Sequence, residues 1–284
     1  MELKNIAKEI REILEKKRED LSLSFIEEKH IYFMKDNEGN IKSDFPSVSK
    51  VYKLFHEEFD SYGKSLAMAK GDKTVQNALL EQWKQSGIYS ANQGSRVHYF
   101  LEKELMNRNE NFKEVRQPIF ECNDEQIITS NNMISAGYNF INLMEERGSV
   151  ILDTEIVLGS PTLGYVGQPD KGWLIMDKEK NQLGLVITDW KSNKPENFEI
   201  KPYTKQMYEP FNNYPDIALS HYYLQIPLYA RLLLDMLKGS KYENLKFFGG
   251  IVVLLKKDGN FVEYRVPKDI INKIFNLDIK KYLK

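Results

Sequence analysis

A single cysteine, Cys122, stands in 284 residues. That excludes an internal disulfide framework, a cysteine-rich zinc site and a four-cysteine iron–sulfur cluster held by one chain. Neither sign of charge dominates, since 40 Lys and Arg stand against 41 Asp and Glu for a net charge of −1. No global basic field advertises a polyanionic partner, so any nucleic-acid site has to be a local patch. Long apolar runs are missing too, with none near the roughly 18 residues that signal a membrane span. The N-terminus, MELKNIAKEIREILEKKRED, alternates charges where a secretion signal would carry an apolar core, which predicts an intracellular, cytoplasmic protein. What is present is 42% hydrophobic and 29% charged residues with 12% aromatics, the profile of a globular chain long enough to bury a core.

Leu3, Ile6, Ile10, Ile13 and Leu14 recur at helical spacing and predict an amphipathic first helix, packed on the rest by its Leu/Ile stripe. Its polar face mixes both charge signs, which disfavours a membrane-surface helix. LSFIEEKHIYFMKDNEGNIKSDFP predicts a β-hairpin turning at Asn37-Glu38-Gly39-Asn40, and Pro46-Ser47-Val48-Ser49 opens a helix through Val51, Leu54 and Phe55. Helices are expected over about 64–86, 93–107 and 126–147. From 150 the pattern turns to strands: VILDTEIVL, LGYVGQPDKGWLIMD and LGLVITDWKS. Four of the ten prolines fall in 193–218, which predicts a long functional loop or a disordered crossing. A helix over 219–238 stops at Gly239, a strand pair turns at Asp258-Gly259, and a short helix closes the chain. The order predicts one α/β domain, with residues 1–90 as a helical and hairpin extension packed on a core of 91–284.

Several familiar motifs fail on inspection. Gly63-Lys64-Ser65 resembles the end of a phosphate-binding loop, but Glu58 stands where that loop needs its first glycine, and no apolar strand leads in. There is no G-x-G-x-x-G after a strand, no G-x-S-x-G elbow and no H-E-x-x-H. Cys122 lies in the polar stretch FECNDEQ with no histidine near it in sequence.

GYVGQPDKGWLIMDKEKNQLGLVITDWKS carries more chemistry. Two strands joined by the turn KEKNQ place Asp170 on the first and Asp189-Trp190-Lys191 at the end of the second. Side chains alternate along a strand, so Asp189 and Lys191 project on one face and Trp190 on the other. Antiparallel pairing sets Asp170 beside Asp189. Two adjoining carboxylates repel unless a divalent cation sits between them, the oxygen-rich setting that Mg²⁺ or Mn²⁺ prefers. A lysine beside such an ion can position or deprotonate a water, or stabilise charge building on a phosphate. Taken alone, a strand end carries solvated Asp and Lys as a matter of course. Further parts at compatible places give the segment its meaning. Gly94, His98 and Glu102 share one helical face above the apolar Val97, Leu101 and Leu105, and a glycine one turn before a histidine leaves room for a ligand. His98 could complete an Asp/Asp/His metal site. Gln225 and Tyr229 share a later helical face, and Glu155, in the strand before the hairpin, points to the same region or is a solvated edge carboxylate.

In order, Gly94…His98…Glu102, Glu155, Gly167-Gln168-Pro169-Asp170, Asp189-Trp190-Lys191 and Gln225…Tyr229 resemble the RecB-like branch of the PD-(D/E)XK nucleases. His30-x-Tyr32 and Pro46-Ser47-Val48-Ser49 are similar to the phage-encoded and mitochondrial genome-maintenance exonucleases of that branch. The resemblance implies an α/β fold with a PD-(D/E)XK core, a central mixed sheet flanked by helices, and metal-dependent hydrolysis of DNA. It implies His98, Asp170 and Asp189 as ligands of one or two Mg²⁺ or Mn²⁺ ions, with the Trp190 carbonyl as a fourth. Lys191 matches the catalytic lysine, Glu102 belongs to the helix motif, and Gln225 and Tyr229 match the late helix motif. The cluster-binding cysteines of the CRISPR-associated and helicase-nuclease relatives are missing, so no iron–sulfur cluster is expected. The resemblance also suggests a phage or bacterial origin and leaves room for a replication or recombination partner.

DNA has to be gripped locally. Arg96, Lys194, Lys201 and Lys205 are the candidate phosphate contacts, and Tyr165, Trp173, Tyr203 and Tyr208 the candidate stacking platforms. Near-neutral net charge suits a channel threading one strand, hence an exonuclease on single-stranded or frayed ends. The alternatives are a structure-specific endonuclease on the same fold and a catalytically silent DNA-binding or assembly protein.

Overall fold

The computed structural model describes residues 2–26, 29–108 and 118–283. At its centre is a five-stranded mixed sheet, built from β4 (Val150–Thr154), β7 (Lys171–Asp177), β8 (Gln182–Lys191), β9 (Lys246–Leu255) and β10 (Phe261–Arg265) in the order β10-β9-β8-β7-β4. β7 and β8 form the antiparallel hairpin expected around KEKNQ, in the register Lys171↔Thr188 to Asp177↔Gln182. β8 and β9 run parallel, which requires a crossover. That crossover contains the proline-rich segment and α6 (Ala218–Met236). The fold is α/β, with helices flanking a mixed sheet.

Alternation along the strands gives the sheet two apolar faces. One carries Trp173, Trp190, Ile251 and Val253, packed against α4 (Lys73–Arg108) and α5 (Asp124–Glu146) through Val97, Leu101, Leu105 and Phe140. The other carries Leu152, Leu174, Leu185, Ile187 and Val252, covered by α1 (Leu3–Asp20), α6 and α7 (Lys268–Asn276). The α1 stripe behaves as its spacing predicts: Ile6, Ile10 and Leu14 are buried, and Arg11 donates to the Leu152 carbonyl at 2.9 Å. Ile6, Ile10, Leu14, Met34, Val48 and Phe55 thus share one core with the sheet. A small sheet of β1 (Ser24–Ile26), β2 (Ile31–Lys35) and β3 (Ile41–Lys42) follows α1, with the β2–β3 pair turning where expected. Ser47 then caps α2 (Val48–Tyr52) by accepting from the Lys50 N–H.

Three boundaries differ from the sequence reading. The helices expected at 64–86 and 93–107 are α3 (Ser61–Met68) and a single α4 that runs through residue 90 without a break. Gly87 costs a helix about 1 kcal/mol, but no proline lies between 73 and 108 to end it. VILDTEIVL is also not one strand. β4 ends at Thr154, and the chain resumes as β5 (Leu158–Ser160), paired with β6 (Tyr165–Gly167). The proline-rich segment, finally, is ordered along its length: Phe198, Met207 and Phe211 are buried, and the Tyr208 N–H donates to the Phe55 carbonyl at 2.7 Å. No helix among the described residues is long and apolar enough to cross a membrane.

Candidate metal centre

Asp170 lies immediately before β7 rather than within it. Because Lys171 pairs with Thr188, the next rung sets Asp170 opposite Asp189. Its carboxylate is fixed from β8, where the Trp190 N–H donates to Oδ2 at 2.7 Å. Asp170 Oδ1 lies 3.6 Å from His98 Nδ1 on α4.

Glu155 completes the group. It follows the last residue of β4 in the left-handed region, φ 47°, a conformation that costs a non-glycine residue about 1–2 kcal/mol. Its N–H donates to the Asp170 carbonyl at 3.1 Å, and Gln168 Nε2 donates to the Glu155 carbonyl at 2.8 Å. The turn is therefore tied to the segment that bears Asp170, and a strained residue pinned in this way points to function. One ligand atom from each of His98, Glu155 and Asp170 lies within 4.8 Å of the others.

The pocket gathers acidic groups: Glu102, Glu155, Asp170 and Asp189 all act on the Lys171 ammonium, and Asp189 and Asp170 act on that of Lys191. Burial lowers the His98 imidazole, against the pull of Asp170. Burial, with Asp170 and Glu102 close by, pushes Glu155 well above the usual carboxylate range. Burial also pushes Asp189 up to about 6, against the pull of Lys191. Asp170 is held low even though burial opposes it, because His98, Lys171, Lys191 and the Trp190 amide outweigh that penalty. For Lys191, burial is likewise outweighed, here by Asp189 and Asp170, and its ammonium is raised above the ordinary value.

These residues fit a divalent cation. One imidazole and two carboxylates supply nitrogen and oxygen donors of the kind Mn²⁺ takes readily and Mg²⁺ takes in part. The ligand set differs from the expectation in one place. Glu155 groups with His98 and Asp170, whereas Asp189 holds Lys191, Oδ2 to Nζ 2.5 Å. Lys191 extends over the Tyr222 ring on α6, 4.3 Å from its centroid. The alternation read from DWK places Asp189 and Lys191 on this face, while the Trp190 ring packs edge-on to Phe140 on the other. A second group, His56, Asp216 and His221, also has its ligand atoms within 4.8 Å of one another.

Other expected residues are distributed unevenly. Gln225 and Tyr229 are buried together, with Gln225 Nε2 donating to the Tyr229 hydroxyl at 2.9 Å. Tyr229, Glu155, Gln168, His30 and Tyr32 line a cavity of about 260 Å³. Gly167 of the GQPD motif serves this packing, because a Cβ there would lie 2.7 Å from both the Tyr229 ring and Val48. Gly94 does not open space for a ligand; its Cβ position is 3.2 Å from Ser192 Oγ, so it admits the chain leaving β8. Beyond Lys191, residues Ser192, Asn193 and Lys194 line a groove of about 880 Å³ against Gln82, Gln85 and Tyr89 of α4.

Three of the predicted nucleic-acid contacts are corrected. Tyr165 is fully buried and donates to the Leu228 carbonyl, and Trp173 is fully buried and donates to Thr188 Oγ1. Neither can stack on a base. Arg96 turns to α5, donating to Ser130 Oγ at 2.5 Å and Asn131 Oδ1 at 2.8 Å, and pins one helix to the other. Lys201 is exposed, and Lys205 is exposed but paired with Glu57 at 2.6 Å. Tyr203 and Tyr208 are 78% and 51% exposed.

Lys171 escaped the sequence reading. It is 2% exposed, with its ammonium 3.7 Å above the Trp190 ring and pushed down to about 8 by burial. A lysine directly after a candidate ligand, at the start of an apolar strand, was the available signal. No family model matches the chain, and no curated protein matches it.

Proposed function

We propose that the protein is a metal-dependent deoxyribonuclease of the RecB-like PD-(D/E)XK kind, acting as an exonuclease on single-stranded or frayed DNA ends. The observation behind this reading is the convergence of His98, Glu155 and Asp170 within 4.8 Å of one another, beside the Asp189–Lys191 pair at 2.5 Å. His98, Glu155 and Asp170 would hold the cation, with Asp189 adjoining. A bound divalent ion supplies Lewis-acid stabilisation of phosphate charge and a more acidic water. The protein's own groups do the positioning. Lys191, fixed by Asp189 and kept protonated, presents its ammonium to the negative charge that builds on phosphorus oxygens. The Trp190 amide holds the Asp170 carboxylate in one orientation. The polar groove past Ser192 and Lys194 leads a strand to these groups, and exposed Lys201, Tyr203 and Tyr208 lie on the ordered segment that follows.

The test uses end-labelled linear single- and double-stranded DNA and a circular single strand, with Mg²⁺, Mn²⁺ or EDTA. Wild type is compared with Asp170→Asn. Metal-dependent loss of linear but not circular DNA, absent in the variant, is the expected result. Cleavage of the circle moves the reading to an endonuclease. No cleavage with either ion overturns the catalytic reading and leaves a DNA-binding protein.

A further inference from the structure

Lys191 carries its ammonium on a long, flexible stem, and the chemistry proposed above needs that charge in one place. Asp189 holds it from one side, Oδ2 to Nζ 2.5 Å. A single contact of this kind leaves the ammonium free to pivot about the carboxylate oxygen, so its position is defined only when a second fixed surface meets it. The ring of Tyr222 is such a surface. Its centroid lies 4.3 Å from Nζ, inside the roughly 6 Å over which a ring face attracts a cation. The lysine side chain is 16% exposed, and a cation–π contact strengthens as water is removed from it.

The ring is itself braced from two directions. Tyr222 lies near the start of α6, and its hydroxyl donates to Asn193 Oδ1 at 3.0 Å. Phe198, which ends the 3-10 turn at Pro195–Phe198, meets the ring at 62° with centroids 5.9 Å apart. Asn193 stands two residues past Lys191, where the chain leaves β8. The contacts therefore close a circuit: Lys191 rests on Tyr222, Tyr222 bonds Asn193, and Ser192 joins Asn193 back to Lys191. A ring tied to the chain that bears the lysine moves with that lysine rather than away from it.

We propose that Tyr222 is a positioning residue for Lys191, its ring face holding the ammonium where negative charge builds on the phosphate. The proposal rests on the nuclease reading. Tyr222 acts through the lysine and touches no reacting atom, so its contribution belongs to the rate of the chemical step and not to the binding of DNA. The ring supplies the effect, and the hydroxyl serves to hold the ring.

The experiment measures metal-dependent release of label from end-labelled single-stranded DNA by the full chain. Wild type is compared with Tyr222→Leu and Tyr222→Phe, and Lys191→Met with the double variant Lys191→Met/Tyr222→Leu. Circular dichroism and the rise in melting temperature with Mn²⁺ establish that each variant is folded and holds the ion, and Tyr222→Met serves should Tyr222→Leu unfold. Tyr222→Leu is expected to lower kcat ~10–30-fold, the size of a largely desolvated cation–π contact, with KM unchanged. Tyr222→Phe keeps the ring and restores most of the rate. In the Lys191→Met background Tyr222→Leu costs nothing further, whereas a merely structural defect lowers the rate by the same factor in both backgrounds. Wild type without metal-dependent cleavage overturns the nuclease reading and the proposal with it. Cleavage by wild type overturns the proposal alone if Tyr222→Leu is as fast, if Tyr222→Phe is as slow as Tyr222→Leu, if the loss lies in KM, or if it is equal in both lysine backgrounds.

Discussion

Glu155→Gln separates a ligand site from a structural salt-bridge cluster. The Glu155 and Asp170 carboxylates approach within 4.8 Å. At an effective dielectric constant of about 20, two like charges at that distance repel by ~3–4 kcal/mol. Lys171 and His98 offset part of this. Without a metal the folded chain either carries the repulsion or holds a proton that the unfolded chain releases, and both weaken it. Glutamine has the same shape and carries neither burden. In EDTA, Glu155→Gln is therefore expected to raise unfolding stability by about 1–2 kcal/mol, read from urea denaturation with an unchanged slope. Mn²⁺ or Mg²⁺ then reverses the order, since wild type gains stability from the ion by mass action and the variant does not. DNA cleavage is lost with the ion. A variant less stable than wild type by ~1 kcal/mol or more in EDTA would falsify the argument, because Glu155 would then be a satisfied partner of Lys171.

Three other outcomes follow from the geometry. Lys191→Met keeps the stem over Tyr222 but removes the ammonium, so cleavage is expected to fall ~10²–10³-fold while Mn²⁺ still raises the melting temperature; activity within tenfold of wild type counts against a role on phosphate charge. Gly167→Ala puts a methyl 2.7 Å from the Tyr229 ring and Val48, an overpacking expected to cost about 1–3 kcal/mol in denaturant melts, and an unchanged midpoint refutes the tight fit. Asp36 is held down to about 2 by Lys42 at 2.8 Å, with the amides of Asn40 and Glu38 adding to it. Its contribution to the β2–β3 turn is present above the ordinary value of 3.8 and fades as pH falls toward 2. Carboxyl NMR should place its midpoint near that lower value, and Asp36→Asn should remove the loss of amide protection in the turn, measured against the intrinsic exchange rate, as pH falls through that range.

Local physics explains which parts of the site could be read from residues alone. Hairpin register and strand alternation are set within a few residues, so the Asp170–Asp189 rung and the split of Asp189 and Lys191 from Trp190 were legible. The spacing of His98 on its helix was equally local. Burial of Tyr165 and Trp173 was not, because it depends on α5 and α6 arriving over opposite faces of the sheets from far along the chain. Arg96 has the same history, with partners 34 and 35 residues away. Glu155 was visible as a candidate, but nothing in DTEIVL announces a left-handed residue. The continuity of α4 was hidden by a stretch, GIYSAN, that is a weak helix former yet contains no breaker. The group that could hold a cation contains Glu155 where Asp189 was expected, and no pattern announces that Asp189 pairs with Lys191.

The length of α4 has a mechanical consequence. From Gln93 to Leu105 the helix is embedded against α5, and Gln126 of α5 donates to the Tyr89 carbonyl just ahead of that point. From Lys73 to Ile88 it projects largely exposed for ~24 Å at 1.5 Å per residue, met by α3 through Gln76 near its tip. It is a cantilever whose root bears His98. The groove lies along its underside, and the opposite wall is the chain leaving Lys191. Gly94, beside Ser192, sits at the fulcrum. Whatever wedges into the groove loads both walls at once, so bending of the outer arm is felt one helical turn from the imidazole and one residue from the lysine.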